Sequence, residues 1–247
     1  MNFDQYEIEY QDQISNDEFE TQLIAIRRRQ VLDIAKTLGP RTFLEVGCGL
    51  NSLFNHLQDF DQFVILEPVK RFCEIAESDS QNDSSVTIFN CTLENGITVV
   101  NTFDFDLIVA SSVLHEVPAP DQFLQSIYQV SDLGTHVYID VPNVESFHRL
   151  LGLQSGLIDE LDQFSELENR FGRKSHFTKS SLIESVEKAG FQVIRCFTFF
   201  LKPFASHQMQ RLLDSNIIAQ RTLTGLSKLC EHFPDNGSSI GLLAKKR

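Results

Sequence analysis

Short apolar runs alternate with amphipathic stretches along most of the chain. Residues 17–38, DEFETQLIAIRRRQVLDIAKTL, place Phe19, Leu23, Ile26, Val31, Ile34 and Leu38 at helical spacing, and Gly39-Pro40 stops that helix. Strands are predicted at TFLEV (42–46), QFVILE (62–67), VTIFN (86–90), FDLIVAS (105–111) and HVYIDV (136–141), with helices near 51–59, 69–78 and 120–131 between them. Several of these strands are nearly continuous apolar runs, as expected of a sheet covered on both faces. Strands that alternate with helices predict parallel crossovers and an α/β fold. Residues 143–177 lack a clear strand. TKSSLIESVEKA (178–189) reads as a helix ended by Gly190, FQVIRCFTFF (191–200) as a strand, 205–233 as largely helical, and SIGLLAK (239–245) as a final strand.

The chain has 247 residues, enough for one full α/β core. Its net charge of −13 repels phosphate backbones and anionic lipid, so neither nucleic acid nor a membrane is an expected partner. The five cysteines, Cys48, Cys73, Cys91, Cys196 and Cys230, are odd in number and have no C-x-x-C spacing. That argues against a disulfide framework and a zinc site, and for a reducing, cytoplasmic setting. The acidic start, MNFDQYEIEYQDQ, does not read as a signal peptide.

The segment TFLEV-GCG-LNSLFNHL predicts strand, tight turn and helix. Gly47 and Gly49 permit positive φ and clear side chains from a place where a ligand meets the backbone. Glu45 ends a strand that should be buried, where a carboxylate is costly without a partner; a ligand ammonium or its water would serve. Glu67 lies about 20 residues beyond the glycines, the spacing at which an acid meets a ribose diol. A dinucleotide fits less well. The third glycine of its fingerprint is replaced by Ser52, and Glu45 would repel a pyrophosphate. No G-K-[ST] follows, so the loop is not a P-loop. A nucleoside with a cationic or zwitterionic tail suits the pattern.

These residues resemble the class I S-adenosylmethionine-dependent methyltransferases, in particular their small-molecule group. Glu45-Val46-Gly47-Cys48-Gly49 matches the first motif, Glu67 the acid ending strand two, and Cys91, Thr92 and Leu93 the adenine-contacting segment. Asp106 to Val117 match strand four and its loop, with Ser111 near the methionine end of the cofactor. The sequence departs from the family at Asn51, where many members have glycine and where asparagine tolerates a left-handed backbone, and at Thr92, where many have aspartate. The resemblance implies a Rossmann-like seven-stranded sheet whose last strand is antiparallel, with a helical substrate cap. It implies S-adenosylmethionine as cofactor, bound by Glu45, Gly47, Cys48, Gly49, Glu67, Thr92, Leu93 and Ser111. The expected layout is one domain, 1–247. Its core is 39–200 and 237–247, its N-terminal cap 1–38, and its cap insertions 143–177 and 201–236.

Methyl transfer to a hydroxyl needs a base. His115, after strand four, is the first candidate and His176 the second. Each competes with a structural role for the same ring. Glu116 is expected to face solvent, as is His207. Tyr6 and Tyr10 sit in an N-terminal arm read as disordered, and at most two of Arg27, Arg28 and Arg29 can face a cleft. The expected reaction is O-methylation of a small molecule, with N-methylation of an amine as the alternative. A catalytically inactive cofactor-binding partner protein is the rival from another class. The intact Glu45, Gly47, Gly49 and Glu67 set speaks against that rival. No metal is expected, and the sequence does not fix the oligomeric state.

Overall fold

β1 (Thr42–Val46), β2 (Gln62–Leu66), β3 (Val86–Phe89), β4 (Leu107–Ser111), β5 (His136–Pro142), β6 (Phe191–Phe199) and β7 (Ser239–Lys246) form one sheet in the order β3-β2-β1-β4-β5-β7-β6. The computed structural model describes residues 3–16, 18–165, 169 and 174–247. β1 through β5 pair in parallel, and β7 runs antiparallel to both β5 and β6.

The apolar runs are continuous because both faces of the sheet are buried. Phe43, Phe63, Ile65, Leu107 and Val109 point to one face, under α2 (Glu18–Leu38) and α3 (Lys70–Ser80). Leu44, Val64, Leu66, Ile108 and Ala110 point to the other, under α4 (Leu93–Val100), α5 (Pro120–Val130) and α7 (Lys179–Lys188). Fully burying one such side chain contributes roughly 1.5–3 kcal/mol. α6 (Phe147–Gln154) follows β5. A smaller cluster of Phe19, Phe199, Phe200, Met209 and Leu223 ties the start of α2 to α8 (Ser206–Asp214) and α9 (Gln220–Lys228).

Three expectations are corrected. The helix after the glycine turn is only a 3-10 turn, Leu53–His56, because the Leu53 amide and the Ser52 hydroxyl are drawn to the buried Glu45 carboxylate. Asn51 is not left-handed; positive φ falls on Gly47 and Gly49, and the Asn51 side chain accepts from Asn55 instead. The N-terminal arm is helical, α1 (Phe3–Asn16), and its Phe3, Tyr6 and Tyr10 pack against the core on the α2 and α3 face. Of the predicted cap insertion 143–177, residues 166–168 and 170–173 lie outside the described residues.

Candidate active site

The crossovers leave β1 in opposite directions, so the carboxyl ends of β1 and β4 frame a crevice, the usual ligand site of open α/β sheets. A cavity of about 580 Å³ lies there. Glu45, Gly47, Cys48, Gly49, Glu67, Thr92, Leu93 and Ser111 all line it. The described fold thus brings together eight side chains and backbone positions drawn from four strand ends.

Gly47 has φ +80°, and a Cβ added there would lie 2.7 Å from Cγ2 of Val113. Gly49 has φ +57°. The turn is therefore open to glycine alone at its tightest point. Glu67 is buried and reaches back over the turn. Its Oε2 accepts the Gly49 amide at 3.2 Å and its Oε1 accepts the Val69 amide at 2.8 Å. Burial pushes its carboxyl above the usual range, and the backbone amides of Val69 and Gly49 offset part of that. The Cys48 amide and thiol lie beside the same carboxylate, which faces the cavity.

Glu45 finds its partners inside the protein, in the Ser52 hydroxyl and the Leu53 amide. Burial still drives its carboxyl up to about 7. The same contacts bear on the choice of ligand. The first amide of the 3-10 turn is occupied by a carboxylate, so a pyrophosphate would meet a like charge there and no α-helix dipole. A nucleoside carrying a sulfonium amino-acid tail fits the residues present: a buried carboxylate at Glu67, an apolar ledge at Leu93, and acids beside the turn. Thr92 stands at the N-cap of α4, with Leu93 buried behind it. The Ser111 hydroxyl donates to Asp140 at 2.5 Å, and Ser112 next to it holds φ +61° at the cavity wall, the kind of strained backbone that gathers at functional sites.

The acceptor end is arranged differently from the sequence-based expectation. His115 is buried and does not line the cavity, whereas Glu116 does. Glu116 accepts the Tyr6 hydroxyl at 2.9 Å, and His115 Nε2 lies 3.6 Å from its other oxygen. Of these two adjacent loop residues only Glu116 reaches the cavity wall, and no local signal reveals which of them does. His176 stacks on Phe164 with ring centroids 4.0 Å apart, away from the cavity, and His207 is exposed. Arg27 and Arg28 line the cavity, while Arg29 is exposed beside Asp33. Arg28 donates to the Asn51 carbonyl at 3.3 Å. Helical geometry allowed this, but only tertiary packing selects the two. Among the described residues, no group of three or more His, Cys, Asp or Glu is placed to hold a metal ion.

Residues 19–195 match a family model described as a methyltransferase domain. The mitochondrial ubiquinone biosynthesis O-methyltransferase of Rattus norvegicus is 30% identical over 126 residues, which cover 49% of this chain and 36% of that protein. The chain therefore spans about a third of the length of that relative. Among solved structures, an S-adenosylmethionine-dependent methyltransferase of Thermotoga maritima, a possible histamine N-methyltransferase, superposes with a TM-score of 0.58 at 16% identity, covering 92% of this chain and 94% of that one. Phosphoethanolamine N-methyltransferase 2 of Haemonchus contortus, solved with S-adenosylmethionine, gives 0.57 at 17% identity, covering 88% and 52%. At these identities the structural likeness is one of fold.

Proposed function

The chain belongs to the class I S-adenosylmethionine-dependent methyltransferases, and from that premise we propose that it methylates a hydroxyl of a small molecule enclosed in this cavity. S-adenosylmethionine supplies a methyl group already activated on a sulfonium. The residues of this chain align the acceptor, exclude water and remove its proton. Glu67 and the Gly47–Gly49 turn hold the donor, with Thr92 and Leu93 beside its base and Ser111 toward its methionine end.

The observation that carries the hydroxyl reading is Glu116. It is the carboxylate that the loop after β4 presents to the cavity, with the Tyr6 phenol on one oxygen and His115 behind the other. Glu116 would accept the proton that the acceptor hydroxyl must lose as it takes the methyl group. His115 acts as a positioning residue through Glu116. A positioned base contributes about 10²–10⁴-fold to such a step. The rat relative is named as an O-methyltransferase, which agrees.

An amine acceptor is the second reading. The cavity wall carries Glu20, Glu45, Glu67, Glu94 and Glu116 against Arg27 and Arg28. That acidic excess favours a cationic ligand, and the Thermotoga and Haemonchus neighbours are named for N-methylation. A screen with labelled donor against cell-extract metabolites, with the product bond read by mass spectrometry, decides between them. An O-methyl product whose formation drops at least a hundredfold in Glu116→Gln supports the first reading. An N-methyl product, or an O-methyl product unaffected by that substitution, overturns it.

The five thiols are all unpaired in disulfide terms, which supports a cytoplasmic setting. No helix among the described residues is long and apolar enough to cross a membrane.

A further inference from the structure

The parallel ladder between β2 and β3 runs to the pair Leu66 and Phe89, where the Glu67 amide donates to the Phe89 carbonyl at 3.1 Å. A continued parallel ladder would next bring the Cys91 amide to the Glu67 carbonyl. Here the Cys91 amide turns back to the Phe89 carbonyl at 3.0 Å, and the chain leaves the sheet toward Thr92 and Leu93 on the cavity wall. The side chain of Asn90 fills the missing rung. Its Nδ2 donates to the Glu67 carbonyl at 2.9 Å and to the Pro68 carbonyl at 3.1 Å. Both neighbours only accept, so the amide nitrogen is the atom that meets them. The buried Cys73 thiol of α3 adds a second, weaker donor to the Glu67 carbonyl at 3.2 Å.

We propose that Asn90 is a positioning residue of the donor site: by holding the Glu67 and Pro68 carbonyls, it fixes where the Glu67 carboxylate stands against the ribose. The inference rests on the reading that this cavity holds S-adenosylmethionine. Asn90 does not line the cavity, whereas Glu67, Pro68 and Val69 do. It acts through Glu67.

The backbone at Glu67 is where such a hold matters. The strand pairing ends one residue earlier, at Leu66, and the carboxylate must still reach the Gly49 amide on one oxygen and the Val69 amide on the other. Pro68 restricts Glu67 to an extended backbone, but it does not fix the plane of the peptide that joins them. The two N–H groups of Asn90 do, by gripping the carbonyl on each side of Pro68. A hydrogen bond to a ribose hydroxyl tolerates only a few tenths of an ångström, about 2.5–3.0 Å between oxygens, so a tilt of that peptide is felt at the ligand. Asn90 is itself exposed, so replacing it opens no hole in the core. The turn that sends Thr92 and Leu93 to the cavity is closed by its own backbone bond, from Cys91 to Phe89, and does not depend on the side chain. Loss of Asn90 should therefore disturb the ribose acid and leave the base wall in place.

The test uses the full chain, with Asn90→Ala, Asn90→Asp, Glu67→Gln and the Asn90→Ala/Glu67→Gln pair. Asn90→Asp keeps the shape of the side chain and, ionised, has no proton to donate. S-adenosylhomocysteine and its 2′,3′-dideoxyribose analogue are titrated against each variant, and amide hydrogen exchange at Gly49 and Val69 is followed without ligand. Both Asn90 variants should bind S-adenosylhomocysteine about three- to tenfold more weakly and hold the analogue within about twofold of wild type. Exchange at Gly49 and Val69 should quicken by a similar factor, because both amides donate to the Glu67 carboxylate. The pair should bind no more weakly than Glu67→Gln alone, since Asn90 acts through that acid. An equal loss for both ligands, wild-type affinity in Asn90→Asp, additive losses in the pair, or unchanged exchange at both amides would each overturn the proposal. If the wild-type protein does not bind S-adenosylhomocysteine at all, the donor-site reading fails by itself, and the exchange arm still decides whether Asn90 positions Glu67.

Discussion

Glu67 accepts the Gly49 amide on Oε2 at 3.2 Å, so the acid that ends β2 and the turn that follows β1 are one unit. The carboxylate shapes the loop and at the same time lines the cavity. Glu67→Gln keeps the size of the side chain but removes the charge that would face a ribose diol. S-adenosylhomocysteine should bind about 1.5–3 kcal/mol more weakly, roughly ten- to a hundredfold, in a protein that remains folded by circular dichroism. Wild-type affinity in the variant would take the ribose away from Glu67.

Gly47→Ala asks two things of the turn at once. The left-handed backbone costs a side chain roughly 1–2 kcal/mol, and the new methyl meets Val113 at 2.7 Å. Adding Val113→Ala should recover part of the lost stability in a denaturant titration, because it relieves the contact and leaves the backbone strain. Ligand affinity should stay impaired in the double variant, since the added methyl still stands where the ligand meets the chain. Full recovery of affinity would show that the ligand does not pass over Gly47.

Glu45 makes stability fall with rising pH. Burial lifts its folded-state carboxyl to about 7, so between the ordinary carboxylate range and about 7 the folded protein holds a proton that the unfolded chain has released. Stability is greatest below that interval and is lost as pH rises through it, by of the order of 3 kcal/mol. Glu67 and Asp140, also raised mainly by burial, act in the same direction. Thermal unfolding of wild type and Glu45→Gln between pH 5 and pH 8 should show the variant gaining relative to wild type as pH rises. A constant difference across that range would mean that Glu45 does not titrate there.

The strands were legible because burial on both faces writes itself as uninterrupted apolar runs. α4 was not. LENGITVV carries Gly96 and a β-branched end, Thr98, Val99 and Val100, against helix propensity. Packing overrides that preference: a Cβ on Gly96 would lie 2.9 Å from Leu66, so the glycine is what lets α4 sit against β2. α1 was missed because its polar composition hides three aromatic residues that have meaning only once a cavity lies beneath them. The eight positions expected around the glycine turn and strand ends could be placed on one cavity because they sit at strand ends in sequence order. The acceptor half of the site could not, because it depends on which of two neighbours, His115 or Glu116, reaches the cavity wall, and on a tyrosine more than a hundred residues away.

His115→Ala should now behave differently from a substitution of a base. Removing a buried ring should lower stability by about 1–3 kcal/mol. Its effect on kcat should be smaller than that of Glu116→Gln, because it acts only through the carboxylate 3.6 Å away. S-adenosylhomocysteine affinity should stay near wild type. A His115→Ala enzyme that is stable but as impaired as Glu116→Gln would return the proton to the histidine.

Calorimetric titration of the wild-type chain with S-adenosylhomocysteine and, separately, with NAD tests the central claim most directly. A carboxylate on the Leu53 amide and a diol acceptor at Glu67 predict micromolar binding of S-adenosylhomocysteine and no measurable heat from NAD. Binding of NAD, or a flat titration with S-adenosylhomocysteine, would contradict it.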